Sequence, residues 1–176
     1  MDRPVANPSV SDEILRRLGA VRLLGLDVDG VLTDGRLVYG PNHTEFKAFH
    51  VQDGSAMKRL MASGVPIAIV TGRTSEAVAR RASELGVPYL YAGVGDKLAT
   101  LKELAARSGV AVQDMAYVGD DLPDLAVFDH VGVSVGVPNA HPDVIRQADY
   151  VTSNPGGFGA VREICDLTIS ARSIRS

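Results

Sequence analysis

Short apolar runs alternate with amphipathic stretches along nearly the whole chain. Residues 22–28, 66–70, 89–92, 115–118 and 131–135 are mostly aliphatic or aromatic and are bounded by Gly, Pro or Asp. Their length and boundaries predict buried β-strands. Residues 150–151 add a short one. Between them, 54–62, 75–85, 97–108, 122–128, 142–147 and 159–170 carry apolar residues at helical spacing. Ser63-Gly64, Gly86 and Gly109 stand where three of these helices should stop. Segments 36–39 and 44–50 flank the turn Gly40-Pro41-Asn42-His43 and predict a β-hairpin. The first ten residues contain Pro and Asn and are expected to be loose. Ser9 or Ser11 then caps a short helix ending near Leu18. The alternation predicts an α/β fold, a Rossmann-like three-layer sandwich with a mostly parallel sheet and right-handed crossovers. An N-terminal segment, 1–20, precedes one domain, 21–176, in which the hairpin flap at about 35–50 is the departure from simple alternation.

Composition narrows the class. The 176 residues suffice for one domain with its own core, and 45% hydrophobic content argues against disorder. The net charge of −3, with no dense Lys/Arg run, gives no reason to expect a nucleic-acid partner. The single cysteine, Cys165, rules out an intrachain disulfide framework, fits a reducing cytosol and is expected to pack a helix. No apolar run reaches membrane-spanning length and the first residues lack the apolar core of a secretion signal, so a cytoplasmic location without a membrane partner is expected.

Chemistry concentrates where the predicted strands end. Asp27 and Asp29 follow the first strand at alternate positions and so share a face. Thr71-Gly72-Arg73, the turn 93–96 leading to Lys97, and Gly119-Asp120-Asp121-Leu122-Pro123-Asp124 follow three later strands. A parallel sheet brings these ends to one edge, where open α/β sheets bind ligands. Two close carboxylates call for a cation or a proton between them, and Mg²⁺ with a phosphate ester suits hard oxygen ligands. One aspartate can attack phosphorus, and its neighbour can move the proton. Thr71 and Lys97 can hold phosphoryl oxygens, and Asp121 and Asp124 can hold metal-bound waters. Taken singly, each signal has a plain alternative: turn-forming aspartates, a solvated lysine, an ordinary helix cap. Their order and placement together are what is specific.

Asp-x-Asp-Gly-Val-Leu-Thr-Asp-Gly, Thr-Gly-Arg, Lys97 and Gly-Asp-Asp-x-x-Asp together resemble the motif set of the haloacid dehalogenase superfamily. The hairpin, the stretch Phe49-His50-Val51-Gln52-Asp53-Gly54 and the stretch Gly156-Gly157-Phe158-Gly159-Ala160 resemble, more narrowly, the capless subfamily of 3-deoxy-D-manno-octulosonate (Kdo) 8-phosphate phosphatases. The resemblance implies a Mg²⁺-dependent phosphomonoesterase of lipopolysaccharide synthesis acting through an aspartyl-phosphate. It implies Asp27 as nucleophile and metal ligand, and Asp29 as acid/base with its backbone carbonyl on the metal. It implies Asp120 as third ligand, with Thr71 and Lys97 on the phosphate. His50, Val51, Gln52, Asp53, Gly54, Lys58, Arg73 and Arg81 are implied on the substrate, joined there by Asp29 and Lys97. Arg73 and Arg81 suit the carboxylate of an acidic sugar phosphate, although a solvated helix face is the alternative for Arg81. The resemblance also implies a homo-oligomer, a tetramer whose hairpins meet and partly roof neighbouring sites, with Tyr39, Phe46 and Phe49 supplying contact area.

Two departures bear on substrate. Relatives usually carry Arg where this chain has Phe158, and often where it has Gln52. A nine-carbon sialic-type 9-phosphate or another sugar phosphate is therefore a competing substrate. A non-catalytic oligomerisation module and a phosphoacceptor signalling domain are the readings from other classes. The intact set Asp27, Asp29, Thr71, Lys97 and Asp120 argues against the module, and Asp29 with the hairpin against the signalling domain.

Overall fold

In the computed structural model, residues 10–175 are described; residues 1–9 of the expected loose segment, and Ser9 as a cap, lie outside them, while Val10, expected loose, is partly buried against the core. Ser11 is the cap of α1 (Asp12–Leu18), its hydroxyl accepting from the Ile14 N–H. Strand β1 (Leu23–Leu26) follows, then the flap strands β2 (Val38–Tyr39) and β3 (Glu45–Phe46), and α2 (Val51–Ala62). Next come β4 (Ile67–Thr71), α3 (Glu76–Leu85), β5 (Tyr89–Ala92), α4 (Lys97–Ser108), β6 (Met115–Val118) and α5 (Leu122–Phe128). The chain ends through β7 (Val133–Gly136), α6 (Pro142–Gln147), β8 (Tyr150–Val151) and α7 (Ala160–Arg175).

The main sheet has the order β5-β4-β1-β6-β7-β8. All its pairings are parallel, Leu24 opposite Ile67 on one side and Ala116 on the other. The chain reverses its direction of travel across the sheet at β1, between β4 and β6, and such a switch point opens a crevice at the carboxyl ends. Every residue of β1, β4 and β6 is buried, as apolar runs covered on both faces require. Helices α1, α2, α3 and α7 form one packed group, and α4, α5 and α6 another. Cys165 is a free thiol buried on α7, in keeping with a packing role. Among the described residues, no helix is long and apolar enough to cross a membrane.

Several boundaries depart from expectation: the strand expected over 22–28 stops at Leu26, that over 131–135 is Val133–Gly136, and three further differences bear on packing. Helix α2 begins at Val51 rather than Gly54, so Gly54 lies inside it. A Cβ there would come 2.3 Å from Arg81 Nη2, so the glycine marks close approach to α3 and not a helix start. The flap strands are two residues each, pairing only Val38 with Phe46 and Tyr39 with Glu45. Among the described residues nothing covers the flap's outer side, where Val38, Tyr39 and Phe46 are all more than half exposed, and such a ribbon cannot extend on backbone pairing alone. Helix α7 runs on past Ser170, and Ala171 in that extension is buried.

Candidate active site

Asp27 lies one residue beyond β1, its N–H bonded to the Val118 carbonyl of the neighbouring strand, so the sheet itself aims it. The turn that follows is tight: the Val28 carbonyl accepts from the N–H groups of Val31, Leu32 and Thr33. Gly30 takes φ 89° within it, and a Cβ there would sit 1.9 Å from Asp120 Oδ2. Glycine is thus what lets the loop carrying Asp27 and Asp29 lie against the loop carrying Asp120. Asn139 fastens a third loop, donating to the Gly30 carbonyl at 2.9 Å and accepting from Gly156 N–H at 2.7 Å.

The expected catalytic set converges. Lys97, the first residue of α4, places Nζ 3.1 Å from Asp27 Oδ2 and 2.6 Å from Asp124 Oδ1. Thr71, at the last position of β4, is buried at the same edge. Asp27, Asp120 and Asp124 can each offer an oxygen such that all three lie within 4.8 Å of one another. Asp27, Asp29, Thr71, Arg73, Lys97 and Asp120 line one open cleft of about 720 Å³, a size that suits a small phosphorylated metabolite.

Electrostatics in the cleft call for a cation. Burial raises the Asp27 carboxyl to about 6, against the pull of Lys97 and with Asp124 adding to the rise. Burial, then the charges of Asp27 and Asp124, raise Asp120 to about 8. Burial opposes the Lys97 ammonium, but Asp27 and Asp124 outweigh it and its pKa rises. Asp120 Oδ1 is buried without a hydrogen-bond partner. A buried acceptor lacking a donor is costly, and a divalent cation between Asp27 and Asp120 would satisfy it.

Asp124 does not have the freedom expected of a residue holding metal-bound water. It is fully buried, and Oδ1 takes bonds from Lys97 and from the Tyr117 hydroxyl at 2.9 Å. Oδ2 takes the N–H groups of Asp120 at 3.1 Å and Asp121 at 3.2 Å. With both oxygens engaged, its place is behind Lys97. Asp121 is exposed and caps α5, its Oδ1 accepting from Leu122 N–H.

The expected substrate residues divide. Arg73 reaches the cleft, with Nε 3.7 Å from Asp29 Oδ2 and Nη2 2.8 Å from Glu45 Oε2. His50, Val51, Gln52, Asp53, Gly54, Lys58 and Arg81 do not line the cleft formed by this one chain. His50 is the N-cap of α2, Val51 to Lys58 lie on it, and Arg81 lies on α3. Asp53 is buried and accepts the Arg162 N–H at 2.7 Å, pinning α2 to α7. Arg81 lies over the Phe49 ring, 6.0 Å from its centre. Val51 and Lys58 face solvent. Gln52 and Phe158 line a separate groove along α7 and not the cleft.

Lys47, Glu45, Asn139 and Tyr117 are residues at the site that the motifs did not single out. The alternation of Glu45, Phe46 and Lys47 in the hairpin was the available signal, since it puts both charges on one side of an extended strand.

A family model described as haloacid dehalogenase-like hydrolase matches residues 89–163. The chain is 45% identical over 163 residues to the 3-deoxy-D-manno-octulosonate 8-phosphate phosphatase KdsC of Escherichia coli K12, covering 93% of this chain and 87% of that one. The crystal structure of the phosphatase of that name from Yersinia pestis superposes with a TM-score of 0.91 at 44% identity, over 93% of this chain and 89% of that one. One from Moraxella catarrhalis, in complex with a magnesium ion, a phosphate ion and a KDO molecule, gives 0.90 at 42% identity, over 93% and 94%. Likeness of this extent, over a cleft that assembles the motif residues, places the chain in the haloacid dehalogenase-like hydrolases, in the 3-deoxy-D-manno-octulosonate 8-phosphate phosphatase family.

Proposed function

We propose that the chain is a Mg²⁺-dependent phosphomonoesterase that releases phosphate from Kdo 8-phosphate. The observation that carries this reading is the convergence of Asp27, Lys97, Thr71 and the unsatisfied Asp120 in one cleft. The Moraxella relative, crystallised with magnesium, phosphate and KDO, supports the cofactor and the substrate.

Asp27 and Asp120, with the Asp29 carbonyl, would hold Mg²⁺, which when bound supplies charge neutralisation for a dianionic ester. Asp27 attacks phosphorus in line as the bond to the sugar oxygen breaks, giving an aspartyl-phosphate. Asp29 gives its proton to the departing alkoxide. Asp29 then takes a proton from water, whose oxygen attacks phosphorus; the acyl-phosphate bond breaks and Asp27 and free phosphate are released. Lys97 and Thr71 hold phosphoryl oxygens where charge spreads in the transition state.

A phosphate-release screen over Kdo 8-phosphate, a nine-carbon sialic-type 9-phosphate and hexose phosphates tests the reading. Kdo 8-phosphate should lead by roughly tenfold or more in kcat/KM, a margin worth about 1.4 kcal/mol of transition-state binding. A preference for the nine-carbon ester would move the assignment to that substrate, and silence on every ester would return the chain to a non-catalytic role. The same reading includes a homo-oligomer built on the flap, supported by exposed Leu37, Val38, Tyr39 and Phe46; a monomer in sedimentation equilibrium would remove that part.

The raised carboxyls give the cation a pH signature. Both folded values, about 6 and about 8, exceed the ordinary 3.8, so the folded protein binds more protons than the unfolded chain between them. Their contribution to stability is full below pH 4 and is lost as pH rises through 6 and 8. Mg²⁺ competes with those protons, so the rise in Tm on adding Mg²⁺ should be larger at pH 8 than at pH 5.5. Asp120→Asn should shrink that difference. An increment that is the same at both pH values, by thermal scanning with EDTA as baseline, would contradict the assignment of the cation to these carboxyls.

A further inference from the structure

One buried cation, bonded to the cleft residue Asp29, has no part in the steps above. Lys47 follows β3 on the flap, and its side chain is 1% exposed. Its ammonium lies 2.5 Å from Asp29 Oδ1 and 3.4 Å from Glu45 Oε1. Phe46, between Glu45 and Lys47 in sequence, points outward and is 55% exposed. The strand alternation thus turns both flap charges inward.

The other neighbours of Asp29 are farther. Thr33 Oγ1 is 3.5 Å from Oδ1, and Arg73 Nε is 3.7 Å from Oδ2. Among the described residues, Lys47 makes the one short hydrogen bond to the Asp29 side chain. Glu45 in turn anchors the flap through Arg73 at 2.8 Å.

We infer that Lys47 is a positioning residue for the leaving-group step: by bonding Oδ1 it fixes the Asp29 carboxyl so that Oδ2 delivers the proton to the departing sugar oxygen. The inference rests on the reading of Asp29 as acid/base in a phosphomonoesterase. Its physical basis is that a proton donor must be held within hydrogen-bond reach of the oxygen it serves, and an unheld carboxyl rotates. Because Lys47 rides on the flap, seating the flap and aiming Asp29 are one event. No hairpin residue then needs to touch phosphate to influence turnover.

Leaving-group chemistry separates this role from simple support of the fold. An alkoxide such as that of Kdo needs a proton as it departs, whereas p-nitrophenolate leaves without one. Lys47→Met keeps the stem of the side chain and removes the ammonium. With Kdo 8-phosphate it should lower kcat by roughly 10- to 100-fold, part of the ~10²–10⁴ that general acid catalysis supplies, with KM changed less than about threefold. With p-nitrophenyl phosphate the loss should be at least about tenfold smaller. Lys47→Arg should recover most of the rate, since it restores a donor to Oδ1. The ratio of the two rates on one preparation does not depend on the folded fraction, so poor folding cannot imitate the result. If the wild type accepts no aryl ester, the split between kcat and KM and the rescue by Arg carry the test. Equal losses on both esters, a loss confined to KM, or no loss at all would overturn the inference while leaving the phosphatase intact. A wild type that releases phosphate from the aryl ester alone would overturn the Kdo 8-phosphate reading first, and the inference with it.

Discussion

Asp27→Asn is expected to remove phosphate release, lowering kcat on the order of 10⁴-fold or more, as loss of a catalytic nucleophile does. The amide nitrogen is no nucleophile, and among the described residues the other cleft carboxylates are held elsewhere, Asp29 by Lys47. Asp120 faces the same gap but is held by its own loop, its carbonyl bonded to the His141 N–H at 2.7 Å. Asp124 has both oxygens engaged. The variant should stay folded. Burial raises Asp27 to about 6, so at pH 8 it is a carboxylate held against that penalty beside Asp120 and Asp124, and a neutral amide relieves crowding among the three. Lys97 keeps Asp124 as partner. In EDTA at pH 8 the Tm of Asp27→Asn should therefore equal or exceed that of the wild type, while phosphate release falls to background. Turnover above background would remove Asp27 as nucleophile. A large drop in Tm would show that Asp27 is held for the fold and not for chemistry.

That separation between chemistry and fold explains which features could be read from the chain. Strand ends were legible because a buried parallel strand must be a continuous apolar run, and whatever polar residue ends it stands at the sheet's carboxyl edge. Asp27, Thr71 and Asp120 were placed by that rule alone, with Lys97 following as the first residue of a helix that leaves the same edge. Gly54 shows the opposite case. Glycine is a poor helix former, so local propensity starts the helix there, whereas Arg81 and Leu85 on α3 demand a residue without a side chain at that spot. Contacts between distant elements decide such positions, and a single sequence does not display them.

The residues expected on the substrate divide for a related reason. His50 to Gly54 stand at the start of α2, which begins three residues earlier than expected, and they do not line the cleft of this chain. Lys47 was overlooked because a lysine in a short hairpin is ordinarily solvated. Only the folded arrangement shows its side chain shut in against Asp29 and Glu45.

Asp124→Ala is the second large effect expected, and it separates two roles for that residue. Were Asp124 a holder of metal-bound water, the metal-free protein would scarcely notice its loss. The structure gives it four donors instead: Lys97, the Tyr117 hydroxyl and the N–H groups of Asp120 and Asp121. Tyr117 is fully buried and Lys97 nearly so, so neither can turn to water when its acceptor disappears. Breaking a buried ion pair from one side costs about 3–5 kcal/mol, and urea unfolding in EDTA should register a loss of that order. Asp121→Ala, which removes an exposed cap, should cost only about 0.5–1 kcal/mol. In whatever Asp124→Ala remains folded, Lys97 is left with Asp27 alone, and its ammonium closes onto the nucleophile instead of standing between two carboxylates. The kcat per folded molecule should then fall by roughly 10²–10³, the usual cost of losing one aligned donor to a phosphoryl oxygen. A variant as stable as the wild type in EDTA, yet impaired when Mg²⁺ is supplied, would return Asp124 to the cation and leave Lys97 positioned by Asp27 alone.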